Sequence, residues 1–188
     1  MTSRWAVAVA PERDVTIHWR PISLMFKNDV QPDSPWFDKA SRTHGLLRVF
    51  EAVRAEKGEA KLGDLYTAYG RRIHHDQNLM FDPAEALVEA GLPKKFAKAM
   101  TDVSFDAAIR SGMDEGLALT GNDVGTPILG FTNSAGKRVG FFGPVMSRRL
   151  KRTDALKLWD GIMLTADIDS FWELKRTRTE SPRFGKRP

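Results

Sequence analysis

The sequence predicts a mixed α/β fold in which β segments lie on either side of an all-helical block. Three observations predict it. Residues 15–24 alternate β-branched or aromatic side chains with polar ones, the period-two pattern of a strand. Apolar residues between 35 and 119 recur at three- and four-residue spacing, the signature of amphipathic helices. Residues 127–131 and 138–142 are short apolar runs joined by the polar, Gly-containing 132–137, which reads as a β-hairpin.

In chain order, residues 2–10 read as the body of a helix with no capping residue ahead of it. The first N–H groups of a helix need side-chain or solvent partners, and here the pattern is under way from the start. In the strand 15–24, Pro21 cannot donate to a ladder and so belongs at an end, an edge or a bulge. The helical block opens with Trp36, Ala40, Leu46, Leu47, Val49, Phe50 and Val53 on one helix, with Gly58 near its end. Leu62, Leu65, Tyr66, Tyr69 and Ile73 mark a second. Asp82-Pro83 opens a third that Gly91 stops, Leu92-Pro93 a short fourth, and Phe105, Ala108, Ile109 and Met113 line a fifth. After the hairpin, Leu156, Trp159, Ile162 and Met163 share a face of a last helix over 153–165.

Composition narrows the function classes. A chain of 188 residues fits one domain with or without an insertion, and 41% hydrophobic with 28% charged residues is ordinary for a soluble protein. No apolar run approaches the ~20 residues of a membrane span, and the N-terminal residues make a poor signal peptide. The absence of cysteine excludes disulfides and cysteine–metal sites and agrees with a reducing compartment, so the expected location is cytoplasmic. The net charge of +5 owes much to the tail, where Lys175, Arg176, Arg178, Arg183, Lys186 and Arg187 face the single acid Glu180. Aromatic residues do not interleave with these charges as a single-strand binding groove requires, so nucleic acid is not the expected partner.

Several segments, in this order, resemble one family. They are Thr2-Ser3-Arg4-Trp5, Pro21-Ile22-Ser23-Leu24, residues 65–74 (LYTAYGRRIH), Asp123-Val124-Gly125-Thr126-Pro127, Phe141-Phe142-Gly143-Pro144-Val145 and residues 171–180 (FWELKRTRTE). Together they resemble the DsbA-like thioredoxin-fold oxidoreductases, and within them the mycothiol-dependent nitroreductase group. The resemblance implies a thioredoxin-like fold with an all-helical insertion: residues 1–33 and 118–175 forming the discontinuous thioredoxin-like domain, 34–117 the insertion and 176–188 a basic tail. It also implies mycothiol as thiol co-substrate, with no bound cofactor, and a small-molecule or disulfide substrate.

Members of that family begin with a buried strand and a Cys-Pro-x-x motif at the start of the first helix, followed by a segment like Thr2-Ser3-Arg4-Trp5. In this sequence Met1 stands where the residue after the motif belongs, so the expectation is a chain shortened at its N-terminus, without the first β-strand and the catalytic cysteine. A thiolate is the nucleophile in such chemistry, and the positive end of a helix lowers cysteine pKa towards about 3.5–7.5. Without it this chain is expected to be inactive. By resemblance Thr126-Pro127 is a cis bond whose backbone pairs with substrate, Gly125 gives it room, and Trp5, close to the catalytic helix start, joins them as a substrate-binding residue.

Other residues invite chemistry less strongly. Adjacent His74 and His75 point to different faces of a helix, and no carboxylates stand at ligand spacing to them or to His44; a helix-end or surface role is expected, and no metal site. His18, in the strand, suits a packed or hydrogen-bonded position. Trp5 and Trp36 suit either a cleft or a core. Two further readings of function stay open: a non-catalytic thioredoxin-like module that binds through the Thr126-Pro127 loop and the helical insertion, and an isomerase of the kappa glutathione-transferase type using Ser3, which lies beyond the motif position. Homo-oligomerisation also stays open.

Overall fold

A computed structural model describes residues 1–187. The chain divides into two units: residues 1–17 with 116–186, and residues 18–115 with 187.

The first unit pairs a helix from each end of the chain with a β-hairpin. Helix α1 (Thr2–Val9) runs into a 3₁₀ turn at Ala10–Glu12, where Pro11 sits in the first turn. Trp5 and Val9, one helical turn apart, are the face of α1 that is buried, against Ala155, Leu156 and Trp159 of the C-terminal helix. Strands β1 (Ile128–Thr132) and β2 (Arg138–Phe142) pair antiparallel with Ile128 opposite Phe142 and Thr132 opposite Arg138. Asn133 organises the turn between them: its Oδ1 accepts from the backbone N–H groups of Ala135 (3.1 Å) and Lys137 (2.9 Å), and its Nδ2 donates to the carbonyl of Ala166 (3.1 Å). The turn is thereby fastened to the end of the C-terminal helix, Arg152–Ala166.

The second unit is helical. Helix α2 (Leu24–Lys27) is a single turn; α3 (Phe37–Lys57) is the longest and stops at Gly58, whose φ of +68° suits a residue without Cβ. Helix α4 (Leu62–Gly70) continues into a π-helical turn at Arg71–His75. Helix α5 (Pro83–Glu89) is capped by Asp82, which accepts from the Ala84 N–H at 2.9 Å. A 3₁₀ segment, Lys94–Thr101, leads to α6 (Asp106–Thr120), within which the two units meet in sequence. Val49 and Val53 of α3, Leu62 and Leu65 of α4 and Leu87 of α5 are all 0% exposed and centre one core. At about 1.5–3 kcal/mol per buried aliphatic side chain, this cluster is the main stabilising term of the unit. The C-terminal helix, the seventh α-helix in chain order, is α7 from here on.

Residues 15–24 are a correction. Val15, Ile17 and Trp19 are half-buried and Thr16, His18 and Arg20 exposed, which is the alternation of a strand, yet 15–23 carry no regular structure and 24 already belongs to α2. Among the described residues β1 and β2 form a two-stranded sheet, and no strand pairs with this segment. Alternation sets which side chains are buried, whereas a strand also needs a neighbour to complete its ladder. A second correction concerns Trp36: it precedes α3 and is 65% exposed instead of joining the helix's apolar face.

Candidate functional site

In the first unit, three of the segments singled out in the sequence come together. The run from Gly121 to Thr126 lies largely at the surface, and the ladder begins only at Ile128, so the main chain of Gly125 and Thr126 lies outside it. A Cβ on Gly125 would meet only the Phe142 ring, at 3.8 Å, so this stretch of backbone is uncrowded. The Thr126–Pro127 peptide is cis, as is Gly143–Pro144. The Gly143 N–H donates to the Pro127 carbonyl at 2.8 Å, and Gly143 has φ +102°, a conformation open to glycine. The Thr2 hydroxyl in turn donates to the Pro144 carbonyl at 2.6 Å, which ties the start of α1 to the end of β2.

Trp5 is on the buried face of the same α1 helix. It is 3% exposed, its indole N–H donates to the Ala155 carbonyl at 2.9 Å, and its ring stands 5.8 Å from that of Trp159. The cavity it borders measures about 20 Å³, room for a single water.

A larger cavity, about 540 Å³, opens in the second unit, lined by Asn28, Asp29, Val30, Gln31, Asp33, Ser34 and Trp36. Its walls are set by local bonds. Asn28 ends α2, and its N–H donates to the Leu24 carbonyl at 3.2 Å; the Gln31 amide donates to the Asp29 carbonyl at 3.1 Å; the Ser34 hydroxyl accepts the Trp36 N–H at 3.2 Å. The result is an open hollow of mixed lining edged by one exposed indole, with Lys39 Nζ 6.0 Å from the ring centroid. Amides, carboxylates and a flat aromatic face all stand on its lining.

At the start of α2 lies a buried polar chain that sequence reasoning missed. His44 is 2% exposed and Ser23 is 1% exposed. Asp106 accepts from Arg48 at both oxygens (Nε at 2.6 Å, a second guanidinium nitrogen at 2.8 Å) and from His44 Nε2 at 3.0 Å. An ionised carboxylate only accepts, so Nε2 carries the proton and Nδ1 accepts the Ser23 hydroxyl at 2.9 Å. Ser23 Oγ accepts the Phe26 N–H at 3.2 Å, capping α2. Burial holds the His44 imidazole below its ordinary pKa, against the opposing pull of Asp106. Hydrogen bonding from Arg48 holds the Asp106 carboxyl below the usual range, against burial.

Ser23, His44 and Asp106 resemble a hydrolase triad in composition but not in access. A nucleophile must meet substrate, and the Ser23 oxygen is enclosed and occupied as a helix cap. His44, expected at a surface or helix end, is thus a packed residue. The signals that could have found it are Arg48 one turn along α3 and Ser23 three residues ahead of Phe26, a capping position. His18 lies at the surface, with its Nδ1 2.5 Å from Glu59, a carboxylate that Arg20 and Arg54 also engage. Burial lowers the pKa of His74. Among the described residues no group of three His, Cys, Asp or Glu stands where it could hold a metal ion, and no helix is long and apolar enough to cross a membrane.

Compared with known families, residues 1–176 match the Rv2466c-like model, described as mycothiol-dependent nitroreductase Rv2466c.

Proposed function

This chain belongs to the Rv2466c-like family of mycothiol-dependent nitroreductases, and from that premise we propose that its residues supply the docking surfaces of a thiol-dependent oxidoreductase and not its nucleophile. Family membership carries this reading, and the mixed α/β architecture with its hairpin is consistent with a thioredoxin-like fold. Reducing a nitro group to a nitroso group takes two electrons: two thiols become one disulfide, and one nitro oxygen leaves as water. The attacking species in any thiol–disulfide step is a thiolate. These 188 residues contain no cysteine, so every sulfur nucleophile must be brought to them.

Two surfaces are suited to receiving reactants. The exposed backbone of Gly125 and Thr126, held beside Pro127, offers main-chain hydrogen-bonding groups to an extended or disulfide-bearing substrate. Trp5 packs in the core of the same unit, against Trp159 of α7. The 28–36 cavity, with the Trp36 indole at its rim, offers amide and carboxylate partners to the sugar hydroxyls of mycothiol. A small-thiol co-substrate and a chain without cysteine both suit a reducing compartment, and we assign the activity to the cytoplasm.

The experiment pairs turnover with binding. The purified 188-residue chain, given mycothiol and a nitroaromatic dye, is expected to reduce the dye no faster than mycothiol alone, while S-methyl mycothiol binds and Trp36→Ala weakens that binding about ten-fold, the typical worth of one aromatic contact. Catalysed dye reduction by the cysteine-free chain, or binding untouched by loss of Trp36, overturns the proposal.

A further inference from the structure

The two walls of the 28–36 cavity come from different elements. One is the end of α2 and the turn after it, at Asn28 and Asp29; the other is the approach to α3, at Ser34 and Trp36. Helix α2 has only four residues, too few to hold its own shape in water. What holds it is tertiary: the Ser23 cap, bonded to His44 of α3, and the Phe26 ring, which lies 4.4 Å from the His44 ring and 3.8 Å from the Arg110 guanidinium of α6. His44 is therefore a point at which Ser23 and Phe26 of the α2 segment, α3 and Asp106 of α6 are joined.

We propose that His44 is the positioning residue of the 28–36 cavity, holding the α2 wall through Ser23 and itself held by Asp106, and that it does so only while its imidazole is neutral. The hydrogen-bond chain explains the condition. In the neutral ring Nδ1 accepts from Ser23, Ser23 accepts from Phe26, and Nε2 donates to Asp106, so every donor has an acceptor. A protonated ring carries N–H on both nitrogens. Ser23 Oγ would then receive two N–H groups, and its own hydrogen would lose its acceptor in a site sealed from water. The charged groups facing the ring are Asp106 and Arg110 from α6 and Arg48 from α3, while α2 contributes Ser23 and Phe26. Asp106 is already doubly engaged by Arg48, so a protonated His44 would add a third cation beside Arg48 and Arg110 against one carboxylate.

The consequence for ligand binding rests on the reading of the cavity as the mycothiol site, and the test separates the two. Backbone amide exchange in 24–36 needs no ligand. His44→Gln and the milder Ser23→Ala are each expected to raise exchange there about ten-fold at pH 7.5, the effect of one buried hydrogen bond, while amides in α4 and α5 stay protected. In the wild-type chain exchange at 24–36 should quicken, beyond the intrinsic pH dependence, as pH falls from 7.5 to 5.5, and His44→Gln should abolish that pH response. Affinity for S-methyl mycothiol, measured by calorimetry over the same range, should fall in parallel. Unchanged exchange at 24–36 in both variants, or the same pH response with and without His44, overturns the inference. Altered exchange in a chain that binds no S-methyl mycothiol at any pH sustains the positioning role of His44 and overturns the functional reading of the cavity instead.

Discussion

Replacing Trp5 with alanine distinguishes a core tryptophan from a ligand-facing one. The side chain is 3% exposed, donates one hydrogen bond at 2.9 Å to Ala155 and stands 5.8 Å from the Trp159 ring. Truncating a buried tryptophan costs about 3–5 kcal/mol, a figure that already includes the cavity left behind. Trp5→Phe keeps most of the packing and removes the N–H. The Ala155 carbonyl lies in the first turn of α7 and still accepts within the helix, so this change costs about 1 kcal/mol. For a chain of this size each kcal/mol moves the melting temperature by about 2–4 °C. Trp5→Ala is thus expected to melt about 6–20 °C lower and Trp5→Phe about 2–4 °C lower. Thermal unfolding followed by far-ultraviolet circular dichroism, with S-methyl mycothiol affinity measured well below the transition, reads both properties. A Trp5→Ala chain that melts within about 2 °C of wild type but loses affinity would refute the core assignment.

Three further outcomes follow from the same packing. Asn133→Ala removes two accepted bonds and one donated bond from a side chain that is 8% exposed, and should cost about 2–4 kcal/mol in urea denaturation; a change under about 0.5 kcal/mol would mean the turn does not depend on it. Gly140→Ala would place a Cβ 2.5 Å from Leu119 Cβ and 3.2 Å from the Leu129 carbonyl, whereas Gly161, in α7, has nothing within 4 Å; the first substitution should destabilise by about 1–3 kcal/mol and Gly161→Ala should stabilise by about 0.5–1 kcal/mol, and equal effects would contradict the contact. Asp106 has its folded-state pKa depressed, chiefly by Arg48, so its contribution is present above the unfolded value of about 3.9 and is lost as pH falls through the lower folded value. Asp106→Asn should therefore be less stable than wild type at pH 7, with the gap closing below about pH 4; a gap that persists into acid would exclude the ionised carboxylate as its cause.

The features legible in the sequence are those written over short distances. Asp82-Pro83 and Gly91 bracket α5 because a cap and a stop act within one turn. The hairpin at 128–142 is visible because two apolar runs and a polar connection are its whole specification. The segments at Thr2, Gly125 and Phe141 also drew attention in the sequence, but their junction depends on the Gly143–Pro127 bond and on the Thr2–Pro144 bond, whose partners lie 142 residues apart.

Trp5 and Trp36 show the limit most directly. Both are aromatic residues near a helix start, and nothing local separates a cleft role from a core one; one is 3% exposed and the other 65%. His44 shows it again. Its neighbour Arg48 is readable at one turn's spacing, but its partners Ser23 and Asp106 lie 21 and 62 residues away. Residues 15–24 carry the alternation of a strand, and that pattern did determine which side chains are half-buried, without a ladder to pair with. By itself the sequence determined the helical block, the hairpin and the absence of a cysteine nucleophile, since periodicity, turn chemistry and composition are properties of neighbouring residues. Which tryptophan faces solvent, where the cavity opens and which histidine is sealed from water were decided by tertiary structure, because burial and hydrogen-bond partnership depend on what distant segments bring to the same place.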